Sequence, residues 1–128
     1  LITNRFQGSK YAKDASNRLI FLRDSMAKHE VYIARYYLKR GAYLASSERS
    51  KYMLEKYPGA PATEDALIIL IESYNKLEMI NLAKITADVL TKNFSNYSYT
   101  LNENEIVLKD NSQKDIIEKE SFFDLGLF

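Results

Sequence analysis

Apolar side chains along the first third of the chain fall at helical intervals. Leu19, Leu22, Met26, Ile33, Ala34 and Tyr37 recur three or four residues apart or at whole turns, with charged positions between them. No Pro or Gly interrupts the pattern before Gly41, so the spacing predicts one unbroken helix over residues 14–40. A return helix is predicted over 42–56, ended by Pro58 and Gly59. After a turn at 57–63, the same pattern predicts a second pair over 64–77 and 81–93, with Asn81 placed to cap the last helix. Residues 1–6 read as the end of a preceding helix. The period then changes from helical to alternating. "YSYTL" (97–101) and "EIVLK" (105–109) read as two strands joined by the three-residue loop "NEN". Ser112, with Asp115 three residues later, reads as the start of a short helix carrying Ile116 and Ile117.

The return helix is poor in bulk where it begins, with Ala42, Ala45 and Ser46 ahead of Tyr52, Met53 and Tyr57. Small residues there let another helix approach closely, so a second copy of the pattern is expected. Two alignments supply one. "FQGSKYAKDA" (6–15) matches "YPGAPATEDA" (57–66) at an offset of 51, each copy placing an Asp-Ala pair in what reads as a first helical turn. Tyr37 and Ser46 match Tyr74 and Ala83 at an offset of 37, near the 34 of the tetratricopeptide repeat. The offsets differ by 14 residues, about four helical turns or ~21 Å. A whole number of turns lengthens a helix without rotating its apolar face, so the excess is assigned to the first helix. The fold class that follows is all-α, an α-α superhelix of tetratricopeptide-like helix pairs, with a small β-hairpin and a short helix in the C-terminal tail.

Composition agrees with a folded helical chain. The 128 residues suit one domain, and 46% hydrophobic with 27% charged residues excludes a disordered composition. A formal charge of +1 gives no reason to invoke nucleic acid or an anionic membrane surface. The longest apolar run, residues 66–71, is far below the ~20 needed to span a bilayer. The opening "LITNRF" shows no initiator Met, basic n-region or apolar h-region, and is read as a piece of something longer.

Candidate chemistry is sparse. Without cysteine there is no disulfide, thiolate zinc site or thiol nucleophile. The single histidine, His29, reads as an exposed helical residue beside Glu30. Ser46 and Ser47 have no base in helical reach. "DNSQKD" (110–115) carries oxygens like a calcium loop but lacks its central Gly and final Glu. No enzyme, cofactor or metal is expected. Ten tyrosines and no tryptophan are the unusual feature. "ARYYLKR" (34–40) reads either as packing or as a binding patch, since Tyr and Arg are enriched at hot spots. Arg49 is expected to face outward, with Tyr52 and Lys56 on its face at i+3 and i+7.

The run from "LRDSMAKHE" through "ARYYLKRGAY" to Arg49, "YP" and "EDAL" resembles the BamD (ComL) family, lipoproteins of the outer-membrane β-barrel assembly machine. The resemblance covers about residues 6–94. It divides the chain into 1–94, the family's C-terminal tetratricopeptide region, and 95–128, an extension outside it. It implies a non-catalytic scaffold at the periplasmic face of the outer membrane, lipid-anchored in full-length members. The implied partners are a periplasmic POTRA domain of BamA, the small lipoprotein BamE, and unfolded outer-membrane protein clients. It also implies that Arg49 faces an acidic residue of BamA, and Tyr52 and Lys56, which share its helical face by spacing, are assigned with it to the partner-binding site. Two other readings stay open: a general peptide-binding adaptor using the groove of the first helices, or the helical arm of a larger periplasmic enzyme. The closing "FFDLGLF" is expected to dock on the last helix pair (82–93) or on a helix face that a neighbouring repeat would cover, with self-association through the tail as the rival reading.

Overall fold

In a computed structural model, which describes residues 10–111, the chain forms four helices and one hairpin. Helix α1 spans Lys10–Lys39, α2 Tyr43–Lys56, α3 Thr63–Lys76 and α4 Ile80–Asn93. Strands β1 (Tyr97–Asn102) and β2 (Glu105–Asp110) follow. Each helix packs against the next, and α1 also touches α3, so two hairpins stack as a superhelix of tetratricopeptide-like pairs. No described helix is long and apolar enough to cross a membrane. The expected preceding helix (1–6), the Ser112 helix and the docking of "FFDLGLF" lie outside the described residues.

The 37-residue period holds in the backbone. Helices α2 and α4 are each 14 residues long, and both their first and last residues are offset by 37. The helix ends before them repeat as well. Gly41 adopts φ +79, with the Ala42 N–H on the Tyr37 carbonyl (3.0 Å) and the Gly41 N–H on that of Leu38 (3.2 Å). This is the Schellman closure of a helix. Glu78 adopts φ 59 in the second copy, with the Met79 N–H on Tyr74 (2.9 Å) and the Glu78 N–H on Asn75 (3.1 Å). Glycine meets the left-handed requirement without strain in one repeat and glutamate meets it at a cost in the other. The closure places Met79 at the N-cap of α4, with no side-chain cap. Asn81 therefore sits inside the helix and does not cap it.

Helix α1 is unbroken through His29–Val31, as the spacing predicted, but it starts at Lys10 and not at residue 14. Asp14 falls in the second turn, and the excess over α3 is sixteen residues, 30 against 14. Of the six apolar positions expected to face inward, Ala34 is buried and Ile33 and Tyr37 are half-buried, but Leu19, Leu22 and Met26 are not. Ala27, Val31 and Ala34 are buried with Leu38 packed beside them, whereas Leu19, Leu22 and Met26 are 64%, 56% and 54% exposed. Two apolar stripes run along α1 about 100° apart, and the one with alanine permits the closer approach. Arg23 lies beside Gly59 in the turn after α2, so residues before it project past the end of their hairpin partner.

Close approach is visible where α2 crosses α1. Ser46, Ser47 and Ser50 are buried, and Ser46 Oγ donates to the Ala34 carbonyl at 2.8 Å. Ala42 and Ala45 are only half-buried, Ala42 preceding the helix. Ser50 Oγ is buried with no hydrogen-bond partner among the described residues. The turn that follows, Tyr57 to Ala60, has Pro58 second, Gly59 at φ +78 third, and the Ala60 N–H on the Tyr57 carbonyl (3.3 Å), as type II geometry requires. Helix α3 opens with Glu64 and Asp65 in its first turn, where carboxylates suit the positive helix end. Its residues 66–71 are then all buried, divided between two clusters. One holds Ala27, Val31, Ala34, Met53 and Tyr57; the other holds Tyr74, Ala83, Ala87, Leu90, Tyr97 and Ile106.

The hairpin closes through two residues, not three. Asn102 pairs with Glu105, and Glu103 and Asn104 take φ 47 and 68, the type I′ signature. Alternation along the ladder then makes Leu101–Ile106 a non-bonded pair. The backbone of Ile106 points away from β1, and Asn75 of α3 takes both groups: Nδ2 donates to the Ile106 carbonyl (2.9 Å), and Oδ1 accepts its N–H (3.0 Å). The hydroxyls of Tyr97 and Tyr99 donate to Glu64 and Asp88. Three side-chain clamps thus fix a two-stranded sheet that alone is marginal in water.

Replacing Ser50 by Ala should raise stability by about 1 kcal/mol, because an unsatisfied buried hydroxyl is removed and helix propensity improves. A denaturant midpoint at or below wild type contradicts this. Asn75→Ala should cost about 1–3 kcal/mol, the loss expected when buried backbone groups lose their partners, and should shift the amide resonances of 105–107. Tyr97 gives a pH prediction. Burial, then the hydrogen bond to Glu64, pushes its phenol well above the ordinary value of 10.0. Below pH 10 both folded and unfolded chains keep the proton and the contribution is complete. Above it the unfolded chain releases a proton that the fold retains, so stability falls as pH rises. Melting temperature measured from pH 9 to 12 should drop more steeply in wild type than in Tyr97→Phe.

Candidate partner-binding site

The three residues singled out from sequence do share one stripe of α2, but Arg49 is not simply outward. Its side chain is 37% exposed, and Nη1 donates to Oε2 of Glu30 on α1 at 3.0 Å. Glu30 itself is 14% exposed. The reason lies in α1: Glu30 occupies the stripe of Leu22, Met26, Ile33 and Tyr37, which flanks the α1–α2 contact. An antiparallel hairpin brings that flank against the side of α2 that carries Arg49. The partner was missed because it stands 19 positions away; an unpaired Glu between Met26 and Ile33 was the available signal.

Tyr52 joins the other two. Its ring lies 5.9 Å from the Arg49 guanidinium carbon, measured to the centroid, and 5.3 Å from Lys56 Nζ. Lys56 Nζ also donates to Tyr52 Oη at 2.8 Å. That hydrogen bond holds the Lys56 ammonium above its ordinary titration range. Tyr52 is 41% exposed and Lys56 is exposed. The result is a cationic ridge with an aromatic centre, its upper end pinned to α1 by a carboxylate. The second repeat does not reproduce it: 37 residues on stand Thr86, Val89 and Asn93.

The remaining tyrosines divide by position. Tyr57, Tyr74 and Tyr97 are core residues, Tyr37 is half-buried, and Tyr32 and Tyr36 are exposed. Tyr36 and Tyr37 meet edge-on at 5.9 Å, with the Arg40 guanidinium 5.1 Å from the Tyr36 ring. "ARYYLKR" is therefore both packing and surface. His29 is exposed. Among the described residues no group of three His, Cys, Asp or Glu is placed to hold a metal ion. The chemistry on offer is recognition of a carboxylate-bearing surface: a planar guanidinium with donors to spare, an amphipathic ring and an ammonium.

Comparison with known proteins gives this ridge a setting. Residues 1–90 match the YfiO family, described as outer membrane lipoprotein. Over 93 residues the chain is 42% identical to outer membrane protein assembly factor BamD of Neisseria gonorrhoeae, covering 73% of this chain and 35% of that protein. BamD of Pasteurella multocida is 38% identical over 92 residues, covering 72% and 35%. BamD of Haemophilus influenzae is 36% identical over 88 residues, covering 69% and 34%. The chain thus spans about a third of the length of these relatives, and the family match over residues 1–90 takes in Glu30, Arg49, Tyr52 and Lys56 and all of the helical region but the last three residues of α4. By this match and by its repeat architecture, the chain belongs to the YfiO family of outer membrane lipoproteins, with BamD among its relatives.

Proposed function

We propose that this chain is a non-catalytic scaffold segment that acts in outer-membrane protein assembly by docking BamA. The relatives named as assembly factors support the process. The observation that supports the docking role is the Arg49–Tyr52–Lys56 ridge with its Glu30 anchor. An arginine held in one rotamer loses less conformational freedom on binding than a free one. Its fork retains N–H donors beyond the single one given to Glu30, enough for a carboxylate on a POTRA domain. Tyr52 supplies apolar area and Lys56 a second positive charge at the rim. In the same reading the site works at the periplasmic face of the outer membrane, with a lipid anchor on the full-length protein. BamE and unfolded clients are further partners of the scaffold.

The BamA periplasmic region, titrated against the wild-type chain and Arg49→Ala, tests the assignment. A desolvated charge pair loses ~2–5 kcal/mol when one member is truncated, against ~0–1 kcal/mol for an exposed pair. The variant should bind at least tenfold more weakly, and Tyr52→Ala should weaken binding as well. Lys109→Ala, on the outer face of the hairpin, should leave it unchanged. Equal affinity of Arg49→Ala and wild type, with helicity preserved, refutes the docking site.

A further inference from the structure

The hairpin has one edge that the fold leaves open. Bonded and non-bonded pairs alternate along its ladder, and Leu101–Ile106 is non-bonded, so Tyr99–Leu108 and Tyr97–Asp110 are non-bonded too. The N–H and C=O groups of Tyr97, Tyr99 and Leu101 therefore point away from β2, toward the far side of β1. Tyr97 turns its N–H back onto the Phe94 carbonyl. On the opposite edge of the hairpin, Asn75 takes both groups of Ile106. The outward backbone groups of Tyr99 and Leu101 meet no partner among the described residues. The sheet has two strands, and no described element extends it past β1.

Such an edge is a template for another strand, and proteins ordinarily guard it with charge, proline or a bulge. The β1 sequence "YSYTLN" holds no charged residue and no proline, and its register with β2 runs without a bulge. Its second half is accessible: Thr100 and Asn102 are exposed, and Leu101 is 61% exposed.

We propose that β1 pairs antiparallel with β1 of a second copy of this chain, joining the two hairpins into one four-stranded sheet. The free groups select the register. Along β1 only Tyr99 and Leu101 have both outward groups available, and an antiparallel pairing bonds such residues to each other. Setting Tyr99 opposite Leu101 of the second copy uses all of these groups, and the two-fold axis then passes between the two Thr100 residues. Tyr99 opposite its own copy would instead face Leu101 with Tyr97, whose N–H is already taken. Leu101 opposite its own copy would face Tyr99 with Glu103 of the turn. The selected register also sets an aromatic against an aliphatic side chain and threonine against threonine, both favourable cross-strand pairs. This self-complementarity favours a second copy over a foreign strand, because a two-fold interface closes on itself. The outer edges of the joined sheet are those of β2, where Asn75 already holds Ile106, and this opposes growth beyond two copies.

Thr100 makes the test specific to the register. Thr100→Lys sets two like charges opposite each other on the axis, and so does Thr100→Glu, whereas the two variants mixed set opposite charges there. Thr100 lies on the exposed face of the hairpin, away from the packing on α3 and α4. Sedimentation of the 128-residue chain should show a monomer–dimer equilibrium at concentrations up to ~1 mM. Each variant alone should dimerise at least tenfold more weakly, and their equimolar mixture should recover the dimer. Leu101→Pro removes an outward N–H and leaves the β1–β2 ladder its bonds, so it should weaken dimerisation as well. The Ile106 amide, held by Asn75, reports whether the hairpin is intact in each variant. In hydrogen exchange of the unsubstituted chain, the Tyr99 and Leu101 amides should gain protection as concentration rises, while Thr100 and Asn102, already bonded to β2, should not change. A chain that stays monomeric overturns the proposal, as does a dimer that Thr100→Lys leaves intact or that the mixture fails to restore. Protection of Tyr99 and Leu101 at every concentration, with the mass still that of a monomer, means that the edge is covered from within one chain and overturns it equally.

Discussion

Everything in this structure leans on the two-sided burial of α3. Its six consecutive apolar residues, 66–71, have no solvent face to offer, and each large side chain among them contributes ~1.5–3 kcal/mol when removed from water. A helix apolar all round must be wrapped. Helices α1 and α2 wrap one side, α4 and the hairpin the other, and Leu54 of α2 touches both clusters. The two repeats are consequently one cooperative unit, joined through a helix that neither could leave exposed.

That arrangement leaves one stripe of α2 at the protein surface. Its inner face is spent on serines and Met53 against α1, and on Leu54 toward the second cluster. The Arg49 stripe remains at the margin, where one charge can reach α1 and the rest meets solvent. A half-exposed ion pair of this kind adds ~0–1 kcal/mol to stability, so its value lies in holding a side chain in place. Because the equivalent positions of the second repeat are Thr86, Val89 and Asn93, the surface is local to the first pair and is not a property of the repeat.

Much of this was legible before any coordinates. Helix periodicity, the 37-residue offset and the Pro58–Gly59 turn are local signals, and the helix ends reappear within a residue of their expected places, except that α1 begins four residues early at Lys10. Long-range geometry was not legible. Two apolar stripes on α1 satisfy the same periodicity, and only contact with α2 selects Ala27, Val31 and Ala34 over Leu19, Leu22 and Met26. The Arg49–Glu30 pair required the hairpin to be folded first. Asn81 offered a capping residue where the backbone closure at Glu78 had already set the helix start. In "NEN" the counting was one residue too generous, because Asn102 pairs across the ladder and left-handed Glu103 and Asn104 complete the turn alone.

The route of the chain after α4 bears on how such a stack ends. Phe94 stands one period after Tyr57, and the Tyr97 N–H returns to the Phe94 carbonyl as the Ala60 N–H returns to Tyr57. Up to that bond the polypeptide follows the path that led into α3; one residue later it runs as a strand. Repeat arrays are quasi-one-dimensional, each unit offering the next an unsatisfied apolar surface. Here that surface is met by the inner face of the hairpin, Tyr97, Tyr99, Ile106 and Leu108, while Ser98, Thr100, Glu105 and Lys109 look outward. Twelve strand residues and a tight turn do the work of a whole helix pair, converting a surface that propagates into one that terminates.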